Sequence, residues 1–299
     1  MDLPYIRAIL TVALLAIGLA APGIGRADPG TPAAAALQAK YQALADSLRH
    51  NPFRRAIHLD STEAAGVLTG DIYALVDAPF ATARTTLDEP AEWCEVLILH
   101  LNTKLCRAED GDGDGALTLR IGKKVQQDVG DAYPLAFTYH VEAATPDYLA
   151  ILLKAAEGPL NTRDYRIRLE AVPLADGRTF LHLTYSCTYG TVGRLAMKAY
   201  LATLAREKIG FTVTGRAADG ALEYVHGMRG VVERNTMRYY LAIDAYLDSL
   251  ALPPGQRFER RIQAWFGATE QYSRQLHEID RNDYLQMKRA EYLRQKVER

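Results

Sequence analysis

The side chains able to do chemistry are few and scattered. Seven histidines (His50, His58, His100, His140, His182, His226 and His277) are spaced so that no two share the i, i+4 separation that puts two imidazoles on one helical face for zinc. No metal ligand is therefore expected among them. Asp110-Gly111-Asp112-Gly113-Asp114-Gly115 alternates carboxylates like the first half of an EF-hand loop, but the twelfth position is Ile121, where a bidentate glutamate is needed. An acidic hairpin turn is the expected structure, with a weak calcium site of another kind as its rival. Cys187 follows Ser186 but falls on the apolar side of an alternating run, where burial raises a thiol's pKa and leaves little thiolate to attack anything. No G-x-S-x-G elbow, phosphate-binding loop or dinucleotide fingerprint is present, so no catalytic residue and no cofactor are assigned.

Aromatic residues offer a different chemistry. Phe137, Tyr139, Tyr165, Tyr185 and Tyr189 fall on the dry faces of alternating segments, and Trp93 precedes them in an apolar stretch. Such side chains supply large apolar area while a phenol or indole fixes the polar end of a ligand, and these six are the candidate ligand-binding residues. The alternative is a set of core aromatics whose polar atoms bond to the backbone. By parity Arg168 and His182 point to the wetter face. Glu233-Arg234-Asn235-Thr236-Met237-Arg238-Tyr239-Tyr240 is a dense mixed motif that, on a helix, would pin neighbouring helices through charge-assisted bonds, or place an arginine at a cavity mouth.

The elements that must position these residues follow from hydrophobic period. Ala33 to Leu48 has helical spacing, and Gly66 to Asp77 alternates as a strand. Pro79 opens a helical segment that is broken at Pro90, and Trp93 to Leu101 reads as a short helix or a strand. Alternating segments then carry Leu117 to Ile121, Tyr133 to Val141, Tyr165 to Ala171 and Leu181 to Tyr189, while Tyr148 to Ala156 is apolar on both faces. Short turns between them predict an antiparallel sheet with one face packed. Val192 to Lys208 reads as the helix that covers it, ending at Gly210, and the chain closes with Gly230 to Leu250 and a charged helical region after Pro253-Pro254-Gly255.

Composition and the N-terminus set the class and the compartment. With 48% hydrophobic and 24% charged residues the 299-residue chain is a folded globular one, and 35 Lys plus Arg against 36 Asp plus Glu leaves no bulk field to draw nucleic acid. Met1 to Ala27 carries Arg7, an apolar stretch from Ala8 to Ala21 and small residues before Asp28, the pattern of a secretory signal, with an uncleaved anchor as the rival. No later apolar run approaches the roughly 18 residues of a spanning helix, so a periplasmic or secreted protein without a transmembrane segment is expected after cleavage. Three cysteines in an oxidising compartment cannot all pair, and Cys94 to Cys106 is the expected disulfide, with three reduced thiols as the alternative.

This order of elements, together with Gly70-Asp71-Ile72-Tyr73-Ala74-Leu75-Val76-Asp77-Ala78-Pro79-Phe80 leading from a strand into paired short helices, resembles the START-like (SRPBCC) helix-grip superfamily. The resemblance covers roughly Gly66 to Val213. It implies an α+β fold, a curved antiparallel sheet gripping a long helix, with an apolar cavity for a lipid, sterol or aromatic ligand. It supplies no catalytic motif to carry over. The expected organisation is a signal at 1–27, an N-terminal helix and linker at 28–65, the helix-grip domain at 66–215 and a helical C-terminal extension at 216–299. The leading function is non-catalytic binding of a hydrophobic small molecule or lipid, for transfer or sequestration in the envelope. The alternative is an envelope interaction protein whose C-terminal helices bind a protein partner, with no ligand. A cyclase or hydrolase would require an acid-base group facing inward, where the alternation places apolar and phenolic ones.

Overall fold

The computed structural model describes residues 31–109, 114–190 and 208–297. Helix α1 (Pro32–Arg49) is followed by the hairpin β1 (Ile57–Ala64) and β2 (Val67–Val76), the short helices α2 (Phe80–Leu87) and α3 (Pro90–Leu97), and the strands β3 (Thr103–Glu109), β4 (Asp114–Ile121), β5 (Tyr133–Ala144), β6 (Leu149–Glu157), β7 (Thr162–Pro173) and β8 (Thr179–Tyr189). A small hairpin, β9 (Val213–Arg216) and β10 (Leu222–Tyr224), leads into α4 (Gly227–Ser249), α5 (Pro254–Glu270), α6 (Ser273–Leu276) and α7 (Arg281–Val297). The signal region, most of the acidic turn at 110–115 and the helix expected over Val192 to Lys208 lie outside the described residues.

Eight strands form one antiparallel sheet in the order β1-β2-β8-β7-β6-β5-β4-β3. Strands β3 to β8 are a meander, and β2 closes on β8 along ten paired positions from Val67↔Thr188 to Val76↔Thr179. Two tight turns set register. Ala65 and Gly66, at φ 51° and 81°, form the two-residue link between β1 and β2, and Gly177, at φ 86°, turns β7 into β8. Strand β1 falls in the stretch read as a linker, because only Ile57 and Leu59 of its eight residues are buried and little alternation survives.

The two sheet faces are covered by different helices. On the outer face α1 packs Leu37, Leu44 and Leu48 with Tyr148, Ala150, Val172 and Phe180, which is why β6 is apolar on both sides. Across the inner face runs α4, which touches β1, β2, β8, α3 and α5 and is buried around nearly its whole circumference. The sequence places this helix in an extension; it shares one core with the sheet. Of its charged residues, Glu233, Arg234 and Arg238 are buried and paired inside. At Gly70 α4 lies close against the sheet, since a Cβ there would run into the Thr236 hydroxyl.

The last helices are fixed to the edge of the sheet by buried charge. Glu95 on α3 meets Arg261 at 2.7 Å and Lys296 at 3.0 Å. Glu291 on α7 lies between Lys104 of β3 at 3.0 Å and Lys288 at 2.8 Å. Lys288 also donates to the carbonyls of His100 (2.6 Å) and Thr103 (2.9 Å). The Cys94–Cys106 disulfide joins α3 to β3 beside this network, with Cα atoms 5.3 Å apart, while Cys187 is free and buried. Closing so short a loop contributes about 3 kcal/mol in the chain-entropy account.

Two outcomes are expected. Gly70→Ala should lower unfolding free energy by about 1–3 kcal/mol in urea titration, because the added methyl must displace Thr236; an unchanged midpoint would contradict the close approach. Removal of residues 253–297 should abolish the single cooperative transition seen by circular dichroism, since it leaves Lys104 and Glu95 buried without their partners. A truncated chain that still unfolds cooperatively would show these helices to be an appendage.

Candidate ligand-binding site

The inner face between β7, β8 and α4 carries a row of rings. Tyr165 and Tyr185 have centroids 6.3 Å apart, Tyr185 and Tyr239 are 5.3 Å apart, and Tyr239 and His100 are stacked at 5.0 Å. Local backbone irregularity places the outer member. The β7–β8 register shifts between Arg163 and Arg166, and Leu160, Asn161 and Asp164 all have positive φ, so the start of β7 is bent. Tyr165 is thereby laid over Gly158, where a Cβ would fall 2.2 Å from its ring. The other wall comes from the helix. Between Val232 and Ile243 every residue of α4 is buried except Asn235 and Tyr239, which stand one turn apart on the same line.

The hydroxyls along the row differ in what they bond. Tyr165 shares a 2.6 Å hydrogen bond with the Thr162 hydroxyl, and Asn235 is the hydrogen-bonding neighbour of Tyr185. The Tyr239 hydroxyl has no hydrogen-bond partner among the described residues. Burial pushes the Tyr165 phenol up to about 12 and raises those of Tyr185 and Tyr239 as well. The Cys187 thiol alongside is likewise raised by burial, to about 11.

His100, just beyond α3, ends the row. Its Nδ1 accepts the backbone N–H of Asn102 at 3.2 Å, so the neutral ring carries its proton on Nε2. That N–H has no acceptor among the described residues. Burial first, and then the charges of Arg238, Lys288, Lys124 and Lys104, hold the imidazole well below its ordinary value and therefore uncharged. Nearby, Glu278 is approached by Lys124 at 2.6 Å, Arg238 at 2.8 Å and Lys208 at 3.5 Å.

Of the six aromatic candidates, Tyr165 and Tyr185 are brought together in this row. Phe137, Tyr139 and Trp93 lie elsewhere in the core, where the Tyr139 hydroxyl and the Trp93 indole both donate to the Leu87 carbonyl at 2.9 and 2.8 Å. Those two polar groups are committed to closing α2 onto α3 and the sheet. Tyr189 donates to Glu63 and ties β8 to β1. Tyr239 and His100 complete the row without having been singled out as ligand contacts. The readable signal was the four-residue step from Asn235 to Tyr239 inside the mixed motif. No group of three or more His, Cys, Asp or Glu side chains able to hold a metal occurs among the described residues.

Arg168 and His182 do lie on the outer face. His182 bonds Asp71 at 2.8 Å and Glu170 at 3.0 Å, stacks on Tyr73 at 4.1 Å, and so links β2, β8 and β7. Glu170 also accepts from Tyr148 and pairs with Arg168, which reaches Glu142 at 2.8 Å. Burial opposes charge on His182, but its two carboxylate partners outweigh that and raise its pKa. Burial likewise opposes charge on Glu170, yet hydrogen bonds from His182, Tyr148 and Arg168 hold it down at about 2.

A cleft of about 950 Å³ opens at the other end of α4, floored by Leu241 and Ala245 and rimmed by the pairs Arg55–Asp244 and Arg260–Asp248.

No protein-family description matches the sequence, and no curated protein matches it. Among solved structures, the chain is similar to the Zhui aromatase/cyclase from Streptomyces sp. R1128, at 13% identity and a TM-score of 0.33 over 70% of this chain and 95% of that one. It is similar to Ara h 8.0201, at 11% identity and 0.35 over 62% and 99%, and to human StAR-related lipid transfer protein 5, at 11% and 0.31 over 57% and 89%. At scores this low the likenesses decide nothing about what this chain binds. Its helix-grip α+β fold rests on its own strand order and on α4 lying across the sheet.

The outer-face network sets a pH dependence. The raised His182 value makes its contribution to stability whole below pH 6.5, the ordinary histidine value, and lost as pH rises through the folded value. The Glu170 contribution is present above its ordinary 4.5 and is lost as pH falls towards about 2. The urea midpoint should therefore fall from about pH 6 to about pH 9 more steeply in the native chain than in His182→Gln. Superimposable profiles would show that His182 is not charged in the fold.

Proposed function

We propose that the chain binds a hydrophobic molecule (a lipid, a sterol or an aromatic compound) between its sheet and α4, and that it acts by holding or carrying that molecule rather than transforming it. The observation that carries this reading is the Tyr165–Tyr185–Tyr239–His100 row, a line of ring faces whose Tyr239 hydroxyl has no hydrogen-bond partner among the described residues. Apolar ligand surface withdrawn from water against such faces is stabilised by about 25 cal/mol per Å² before the costs of ordering. Tyr239 is positioned to bond the polar end of the guest. Beside the row the Cys187 thiol is held protonated and the phenols are raised by burial, which suits a binding surface. Given the signal-like N-terminus, the role proposed is lipid transfer or sequestration in the periplasm or outside the cell. The competing reading, C-terminal helices serving as an arm for a protein partner, is disfavoured by the buried pairs that hold α5 and α7 to α3 and β3.

Native mass spectrometry of the chain purified without refolding should show a reproducible added mass that denaturation releases as a hydrophobic compound. Tyr239→Ala should weaken rebinding of that compound about tenfold, roughly the loss of one aromatic contact and one hydrogen bond. A bare mass, together with no binding of a panel of phospholipids, sterols and polycyclic aromatics, would overturn the reading.

A further inference from the structure

The end of the ring row is unusual in the signs of its polar groups. The Nε2–H of His100 is a donor with no acceptor among the described residues, on a side chain only 5% exposed. A buried donor without a partner costs free energy that an acceptor would restore. The surroundings add charge of one sign. Lys104 and Lys288 share the carboxylate Glu291, and Lys124 and Lys208 share the carboxylate Glu278. Among the described residues these four lysines meet two carboxylates, an excess of two positive charges. Lys288, Lys124 and Lys104, together with Arg238, lie near enough to His100 to disfavour its protonation. Their potential is long-ranged in a medium of low dielectric, so it favours negative charge arriving anywhere at this end of the row.

We infer that the ligand of this site is a monocarboxylate amphiphile, a fatty acid or an aromatic acid, whose carboxylate accepts the Nε2–H of His100 while its body lies along Tyr239, Tyr185 and Tyr165. The inference rests on the ligand-binding reading given above and specifies its polar end. Tyr239 stacks over His100 and its hydroxyl has no hydrogen-bond partner among the described residues, so it is the side chain that turns aside to admit the head group. An amphiphile ending in an ammonium or choline would meet the same excess charge as repulsion, and a neutral alcohol would forgo the attraction.

The test uses the full chain and matched probes: palmitate, palmityl alcohol and methyl palmitate, each below its aggregation concentration, and 2-naphthoate against 2-naphthol. Affinity is read by displacement of a fluorescent polyene acid and, independently, by native mass spectrometry. Acids should bind at least about tenfold more tightly than their neutral counterparts, and the preference should shrink with added salt. His100→Phe, which keeps a ring for Tyr239 to stack on, should shrink the acid preference to the salt-sensitive part that the cations supply, and Lys124→Met should narrow the gap. Preference for palmitate or for naphthoate tells a fatty acid from an aromatic acid. Equal binding of acid and alcohol by the native chain would overturn the carboxylate assignment and leave the hydrophobic-ligand reading standing. Binding of none of the probes would remove both. The native-chain comparison does not depend on either variant folding.

Discussion

A helix buried along most of its length can carry charge there only where each charge is met inside the protein, and α4 buries three charged residues, Glu233, Arg234 and Arg238. Glu233 accepts from the Ser61 hydroxyl, from the backbone N–H groups of Phe211 and Thr212, and from the Thr212 hydroxyl. Arg234 donates to the Ile209 carbonyl, and Arg238 to the Leu276 carbonyl and to Glu278. An unpaired ion in that position would cost several kcal/mol. Each bond therefore fixes something else: Ser61 the edge strand β1, residues 209–212 the approach to the helix, and Glu278 the link between α6 and α7. The course of the chain around α4 is in large part the set of positions that satisfy these three side chains.

The same requirement recurs at the edge of the sheet. Two lysines and one glutamate are buried where α7 meets β3, and the carbonyls of His100, Leu101, Thr103 and Val125 accept from the lysines as well. With the disulfide across α3 and β3, this makes a stiff wall directly behind His100. The wall explains how a histidine can be kept neutral with one nitrogen unsatisfied. Lys288 holds the His100 carbonyl and the Asn102 N–H holds its Nδ1, so the ring is not free to turn Nε2 towards a better partner.

The β-meander was legible because alternation survives wherever one face is covered and the other wet, as in β5 and β8. It was blurred where α1 lies on the outer face of β6, and almost absent in β1, which buries only its first residues. The principal helix is legible as a helix but not as the gripped one: Glu233, Arg234 and Arg238 point to charge-assisted pinning of neighbouring helices, and nothing in the sequence says that their partners place the helix against the sheet. The site divides in the same way. Tyr165 and Tyr185 follow from parity on adjacent strands. Tyr239 and His100 come from segments far apart in the chain, and only the fold shows that they stack. Trp93 and Tyr139 have the same side-chain chemistry as the row, but a single carbonyl at Leu87 claims both.

The contact at Gly70 bears on how a guest could come and go. With Thr236 and Val232 of α4 set against the bare backbone of Gly70, any parting of α4 from β2 would have to give up that contact. The bent start of β7, where three residues other than glycine hold positive φ, is the margin of the row least constrained by regular pairing. Exchange through that margin would be a local event with its own rate, uncoupled from the stability of the whole domain.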